Sequence, residues 1–100
     1  MPAYYAEKTL ANVYHKIPKE YVDGILVIDD ASKDHIDQVA ATLPIRFFRN
    51  QKNLGYGGNV KTCMQKALEF GADILIELHP DDQYDPAAIP EALKKNKRRL

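Results

Sequence analysis

The sequence contains one cysteine, Cys63, so no internal disulfide can staple it. In a chain of 100 residues this excludes the small disulfide-framed secreted class and fits a reducing compartment. Apolar runs are short as well. None approaches the ~18 to 20 residues that span a bilayer, and no charged-then-apolar signal segment opens the chain. A soluble, cytoplasmic chain is therefore expected. Charge of one sign is also lacking, because 14 Lys and Arg balance 14 Asp and Glu. Such a chain has no overall field to recruit nucleic acid or an anionic membrane, so any basic partner surface must be local. There is no internal repeat, low-complexity segment or linker, and this length allows one modest core.

What is present is a regular alternation. Leu10, Val13, Tyr14 and Ile17 recur at helical spacing, as do Ile36, Val39, Ala40 and Leu43, and again Val60, Cys63, Met64, Ala67 and Leu68. A fourth helix is expected after Pro86, carrying Ile89, Ala92 and Leu93. Between the helices lie nearly continuous apolar runs, Gly24 to Ile28, Ile45 to Phe48 and Ile74 to Leu78, which read as strands covered on both faces. The alternation predicts an α/β fold with three layers, Rossmann-like, around a mainly parallel sheet. The opening strand, at Met1 to Tyr4, reads as shortened or missing, and Lys94 to Leu100 closes the chain without another strand. One domain over 1–100, cut at both ends, is expected.

Two acidic clusters stand where such a sheet binds ligands, beyond the carboxyl ends of its strands, and a glycine-rich turn lies between them in sequence. Asp29 and Asp30 follow Ile25 to Ile28, and a ligand role is expected for the pair, with Ser32 capping the next helix. Asn53-Leu54-Gly55-Tyr56-Gly57-Gly58-Asn59 is a glycine-rich turn feeding a helix that should begin near Asn59. It is neither a Walker loop nor the dinucleotide fingerprint. His79-Pro80-Asp81-Asp82-Gln83-Tyr84-Asp85-Pro86 gathers acidic and amide oxygens, the ligands that magnesium and manganese prefer when bridged to phosphates. Elsewhere the bland reading prevails. His15 and His35 have no partners at ligand spacing, Cys63 belongs to a core, Lys61 and Lys66 are solvated, and the basic tail is a solvated helix end.

Taken in order, Pro2-Ala3-Tyr4, Ile25 to Asp34, Asn53 to Asn59 and Ala72-Asp73 through Pro86 resemble the family 2 glycosyltransferases, in particular the dolichol-phosphate or undecaprenyl-phosphate sugar synthase branch. The resemblance implies the nucleotide-sugar-binding half of a GT-A fold, incomplete in this chain. A magnesium or manganese ion would bridge the diphosphate of a GDP- or UDP-sugar, and the sugar would pass with inversion to a polyprenyl phosphate or another glycan acceptor. It implies nucleotide contacts from Pro2, Ala3, Tyr4, Asp29, Asp30, Asn53, Gly55 and Gly58, and metal contacts from Asp81, Gln83 and His79. Peripheral contact with the cytoplasmic membrane face would follow.

The chain departs from the family pattern in two of these motifs. Tyr5 and Ala6 replace an Asn and a Glu, removing a helix-capping side chain and a carboxylate beside the nucleotide. His79 replaces the first Asp of the metal motif, a borderline ligand for a hard one, so weaker magnesium affinity or a preference for manganese is expected. No acceptor half follows within these residues, so donor binding is the function expected of them. Two other readings compete. A catalytically inactive nucleotide-binding or interaction remnant would dimerise or exchange strands through edges left open by a missing strand. A receiver-like signalling domain would use Asp29 and Asp30 as its acidic opening, but the later strand offers Glu77 and Leu78 where a phosphoacceptor Asp is needed.

Overall fold

The structure, a computed structural model, describes residues 1–79 and 89–90. A parallel sheet is built from β1 (Pro2–Ala3), β2 (Leu26–Asp29) and β3 (Arg46–Arg49), in the order β1-β2-β3. Pro2 lies opposite Ile28 and Ala3 opposite Asp29, while Leu26 to Asp29 run beside Arg46 to Arg49 in step. Between the strands run α1 (Leu10–Lys16) and α2 (Ile36–Ala40), and α3 (Gly55–Glu69) follows β3.

The opening strand exists, at two residues. Proline supplies no N–H to a ladder and is tolerated at such an edge. Its pairing is sound: Ile28 N donates to the Met1 carbonyl (3.0 Å) and Asp30 N to the Ala3 carbonyl (2.8 Å). Tyr5, at φ 52°, then turns the chain away. β1 therefore covers one flank of β2, and β1 and β3 are the edges of the described sheet.

The helices end where local chemistry stops them. Ile17, ahead of Pro18, takes an extended ψ of 126°, which closes α1. At the far end of α3, Gly71 adopts φ 84° and two bonds satisfy the last carbonyls, Ala72 N to Ala67 O and Gly71 N to Leu68 O, each 3.0 Å. This is the Schellman arrangement that glycine permits.

Val27 and Ile28 are adjacent and both fully buried, so the two faces of β2 are both covered. Val27 joins Ala3, Ala6, Leu10, Ile36 and Ala40 in a core beneath α1 and α2. Ile28 faces α3, whose buried Asn59, Cys63 and Ala67 form one stripe at intervals of four. The three-layer α/β reading is thereby observed.

Ile74 to Leu78 departs from expectation, because the segment is not bonded into the sheet as a strand. Ile76 and Leu78 turn inward onto Val13 and Ile17, whereas Ile74 and Leu75 are exposed. Leu78 is buried and Ile76 only partly so, and the nearly continuous apolar run does not mark a strand covered on both faces. Of the expected fourth helix, Ile89 and Pro90 are helical and Ile89 is buried in this second cluster. Ala92, Leu93 and the basic tail lie outside the described residues.

Candidate functional site

The parallel register brings three strand ends to one rim: Ala3 and Tyr4 at the end of β1, Asp29 and Asp30 at the end of β2, Arg49 and Asn50 at the end of β3. The first turn of α3 starts at the same rim, because Leu54 N donates to Asp30 Oδ1 (2.8 Å) and Asn53 Nδ2 to the Asp30 carbonyl (3.2 Å). Both non-glycine residues with positive φ among the described residues, Tyr5 (52°) and Ala31 (61°), are here as well. Left-handed conformations are costly for side chains with a Cβ and concentrate at functional sites.

The two carboxylates of the acidic pair have separate partners. Asp29 is fully buried and its oxygens are committed: Oδ2 accepts from Ser32 N (2.9 Å) and Arg49 Nε (3.0 Å), and Oδ1 from the Ser32 hydroxyl (2.5 Å). Arg49 also donates to the Asp34 carbonyl (3.3 Å) and approaches the Asp37 carboxylate at 3.7 Å, so it ties the end of β3 to the start of α2. The Ser32 hydroxyl faces Asp29 and Asp34 Oδ1 (2.9 Å), three residues ahead of the capping position, and does not cap α2. The residue ahead of that helix is His35, which makes no capping bond. Asp34 instead accepts from Ile36 N (3.4 Å) and, across the rim, from Glu7 N (3.1 Å). That second bond serves the start of the first helical region, where Tyr5 and Ala6 supply no capping oxygen.

Asp30, 3 % exposed, turns toward α3. Its Oδ1 accepts from Leu54 N and from Asn50 Nδ2 (3.0 Å), and among the described residues no cation pairs with it. Asn50 Nδ2 also donates to Asn59 Oδ1 (3.0 Å), and Asn59 Nδ2 donates to the Ile28 carbonyl (2.9 Å).

The glycine-rich stretch is part of the helix. α3 begins at Gly55, four residues before the expected Asn59, because Asp30 and Asn53 hold the amides of Leu54 and Gly55 from outside. Such capping outweighs the low helix propensity of three glycines. Gly55 has φ 79°, and a Cβ at Gly58 would meet Leu54 Cβ at 2.9 Å. These two positions require glycine for different reasons. An open concavity of about 580 Å³ lies alongside, lined by Asn50, Gln51, Lys52 and Leu54.

Of the proposed metal residues, His79 is described. It stacks on Tyr56 at 5.5 Å between centroids, and the Tyr56 hydroxyl lies 3.2 Å from His79 Nε2 and 2.7 Å from Glu77 Oε1. His79 therefore joins the first turn of α3. Asp81 and Gln83 lie outside the described residues. Among the described residues, no three His, Cys, Asp or Glu side chains gather closely enough to hold a metal ion.

Of the residues expected to contact the nucleotide, Ala3, Tyr4, Asp29, Asp30 and Asn53 stand at this rim, Pro2 pairs with Ile28 one step below it, and Gly55 and Gly58 belong to the first turn of α3. Sequence reasoning missed Ser32, Asp34, Arg49, Asn50 and Asn59 as supports of the rim. The run from Arg49 to Asn59 is polar and glycine-rich, a signal of a loop, but the partners of Arg49, Asn50 and Asn59 on β2 lie 20 or 31 positions away.

Residues 1–99 match the family model described as glycosyl transferase family 2. The chain is 28% identical over 111 residues to the UDP-N-acetylglucosamine--dolichyl-phosphate N-acetylglucosaminyltransferase of Methanococcus voltae, covering 94% of this chain and 44% of that protein. It is 29% identical over 94 residues to the uncharacterized protein MJ1222 of Methanocaldococcus jannaschii, covering 94% of this chain and 39% of the other. The chain thus spans less than half the length of these relatives. Among solved structures, the crystal structure of S. aureus TarS 1-349 superposes with a TM-score of 0.71 at 20% identity, over 93% of this chain and 29% of that one.

Proposed function

The chain belongs to glycosyl transferase family 2, and from that premise we propose that the rim of its sheet is the donor site of a glycosyltransferase taking a GDP- or UDP-linked sugar. One observation carries the reading. Asp30, the end of β1 and the glycine-rich first turn of α3 converge where an open parallel sheet offers both a carboxylate and backbone amides to a ligand. Asp30 would accept hydrogen bonds from the nucleoside, while Asp29 holds the shape of the loop through Ser32 and Arg49. Pro2, Ala3 and Tyr4 would flank the nucleoside on one side, and Asn53, Gly55 and Gly58 on the other.

The diphosphate would lie toward His79. Asp81 and Gln83 are the proposed oxygen ligands of a magnesium or manganese ion, and His79 is the third proposed ligand. When bound, that ion would supply positive charge to the diphosphate. The Methanococcus voltae relative is named for a UDP-linked donor and a dolichyl-phosphate acceptor, which supports a polyprenyl phosphate acceptor for the whole protein and a peripheral place at the membrane. An oxygen of the acceptor phosphate would attack the anomeric carbon. The bond from that carbon to the diphosphate oxygen would break, and the nucleoside diphosphate would leave with the electron pair, inverting the centre. Family membership displaces the receiver-like reading.

Calorimetric titration with UDP and with GDP, in the presence of manganese, tests donor binding. One nucleotide should bind, binding should weaken when manganese is omitted, and Asp30→Asn should weaken it at least about tenfold, as expected for a lost bond to a charged group. A folded chain that gives heat with neither nucleotide would overturn the reading.

A further inference from the structure

We infer that Asn50 is a positioning residue that aims Asp30 at its ligand, an inference that rests on the donor-site reading. The two N–H groups of the Asn50 side chain serve two acceptors, Asp30 Oδ1 and Asn59 Oδ1, each at 3.0 Å. Asn59, 2 % exposed, returns the chain of bonds to β2 through the Ile28 carbonyl. The main chain of Asn50 is fixed as well, its N–H donating to the Asp29 carbonyl at 2.8 Å. The amide thus spans the gap between the end of β2 and the first turn of α3, anchored at both ends.

The two acidic residues are treated differently. Asp29 has three donors shared over both of its oxygens, one of them the Arg49 guanidinium. Asp30 is nearly as buried, yet among the described residues only neutral N–H donors reach its carboxylate, and both of them reach Oδ1. A buried charge stabilised on one oxygen keeps accepting capacity on the other, because an ionised carboxylate offers about four lone-pair sites. With Oδ1 held by Asn50 and Leu54 N, Oδ2 has a fixed direction in which to receive an N–H or O–H of the nucleoside. A cation in place of the Asn50 amide would neutralise the charge that makes Asp30 a strong acceptor. The neutral amide orients the carboxylate and leaves its charge to the ligand.

The test combines amide hydrogen exchange with nucleotide titration in the wild type, Asn50→Ala, Asn50→Asp and Asp30→Asn. Asn50→Ala should speed exchange of the Leu54 amide about tenfold while Val27 and Ile28 keep their protection, the change expected for a loosened bond to a charged acceptor. It should also weaken UDP or GDP binding about tenfold, but less than about twofold when Asp30 is already Asn, since the two residues act as one unit. Asn50→Asp keeps the shape, removes the donors and should weaken binding at least as much. Unchanged Leu54 exchange in a folded Asn50→Ala protein overturns the inference. So does an equal loss of affinity with and without the Asp30 carboxylate. If the wild type binds neither nucleotide, the donor reading falls and the exchange result alone decides whether Asn50 holds Asp30.

Discussion

Replacing Arg49 with Ala would leave the fully buried Asp29 carboxylate without its guanidinium. A wholly buried pair broken on one side costs roughly 3–5 kcal/mol. The Arg49 side chain is 32% exposed and Ser32 still donates twice, so about 2 kcal/mol is expected in urea unfolding. Gly58→Ala forces a Cβ against that of Leu54, which cannot swing aside as the tip of a side chain could. It should cost about 1–3 kcal/mol by the same measurement and disturb the first turn of α3. Cys63 packs on the buried stripe of α3, and burial pushes its thiol up. The folded thiol keeps its proton where the unfolded one has lost it, so stability should fall as pH rises beyond about 9. Ellman's reagent should accordingly react slowly until urea is added. Residues of this kind show how far a sequence can be read. Asp29 and Asp30 were visible because a strand end predicts its own rim, but the division of labour between them depends on Arg49 and Asn50, which only the folded sheet brings alongside.

Elements were most legible where periodicity and punctuation agree. Leu10 and Val13 begin a stripe that Pro18 ends, and α1 follows it. Leu10 has no exposed surface, and Leu10→Ala should cost roughly 2–5 kcal/mol, a large share of the ~5–15 kcal/mol that holds a domain together. Thermal unfolding followed by circular dichroism would register it as a sharply lower midpoint. Tertiary bonding misled the reading at the start of α3, where Asp30 and Asn53 impose helix on a sequence whose local preference is a turn. At Ile74 to Leu78 the error was one of pattern. A run of branched residues predicted a buried strand, but Ile76 and Leu78 pack inward while Ile74 and Leu75 are exposed. The β3 edge shows how exposed aromatics are accommodated: Phe48 stacks on Phe70 at 6.2 Å, Arg46 covers the Phe70 ring at 3.8 Å and Lys66 lies 5.0 Å from the Phe48 ring. Charged side chains along an open strand also discourage pairing with another chain.

For the molecule as a whole, charge is balanced and a single parallel sheet carries the rim where the donor site is proposed. In the proposed donor site a nucleotide would lie with its base toward Asp30 and its diphosphate toward His79. The measurement that tests this most directly is a titration of isotopically labelled chain with UDP and with GDP, following each backbone amide by NMR. The account predicts shifts gathered on Tyr4, Asp30 to Ser32 and Asn53 to Gly58, with Ile25, Ile45 and Phe70 at the opposite end unmoved. Shifts centred on that opposite end, or none with either nucleotide, would contradict it.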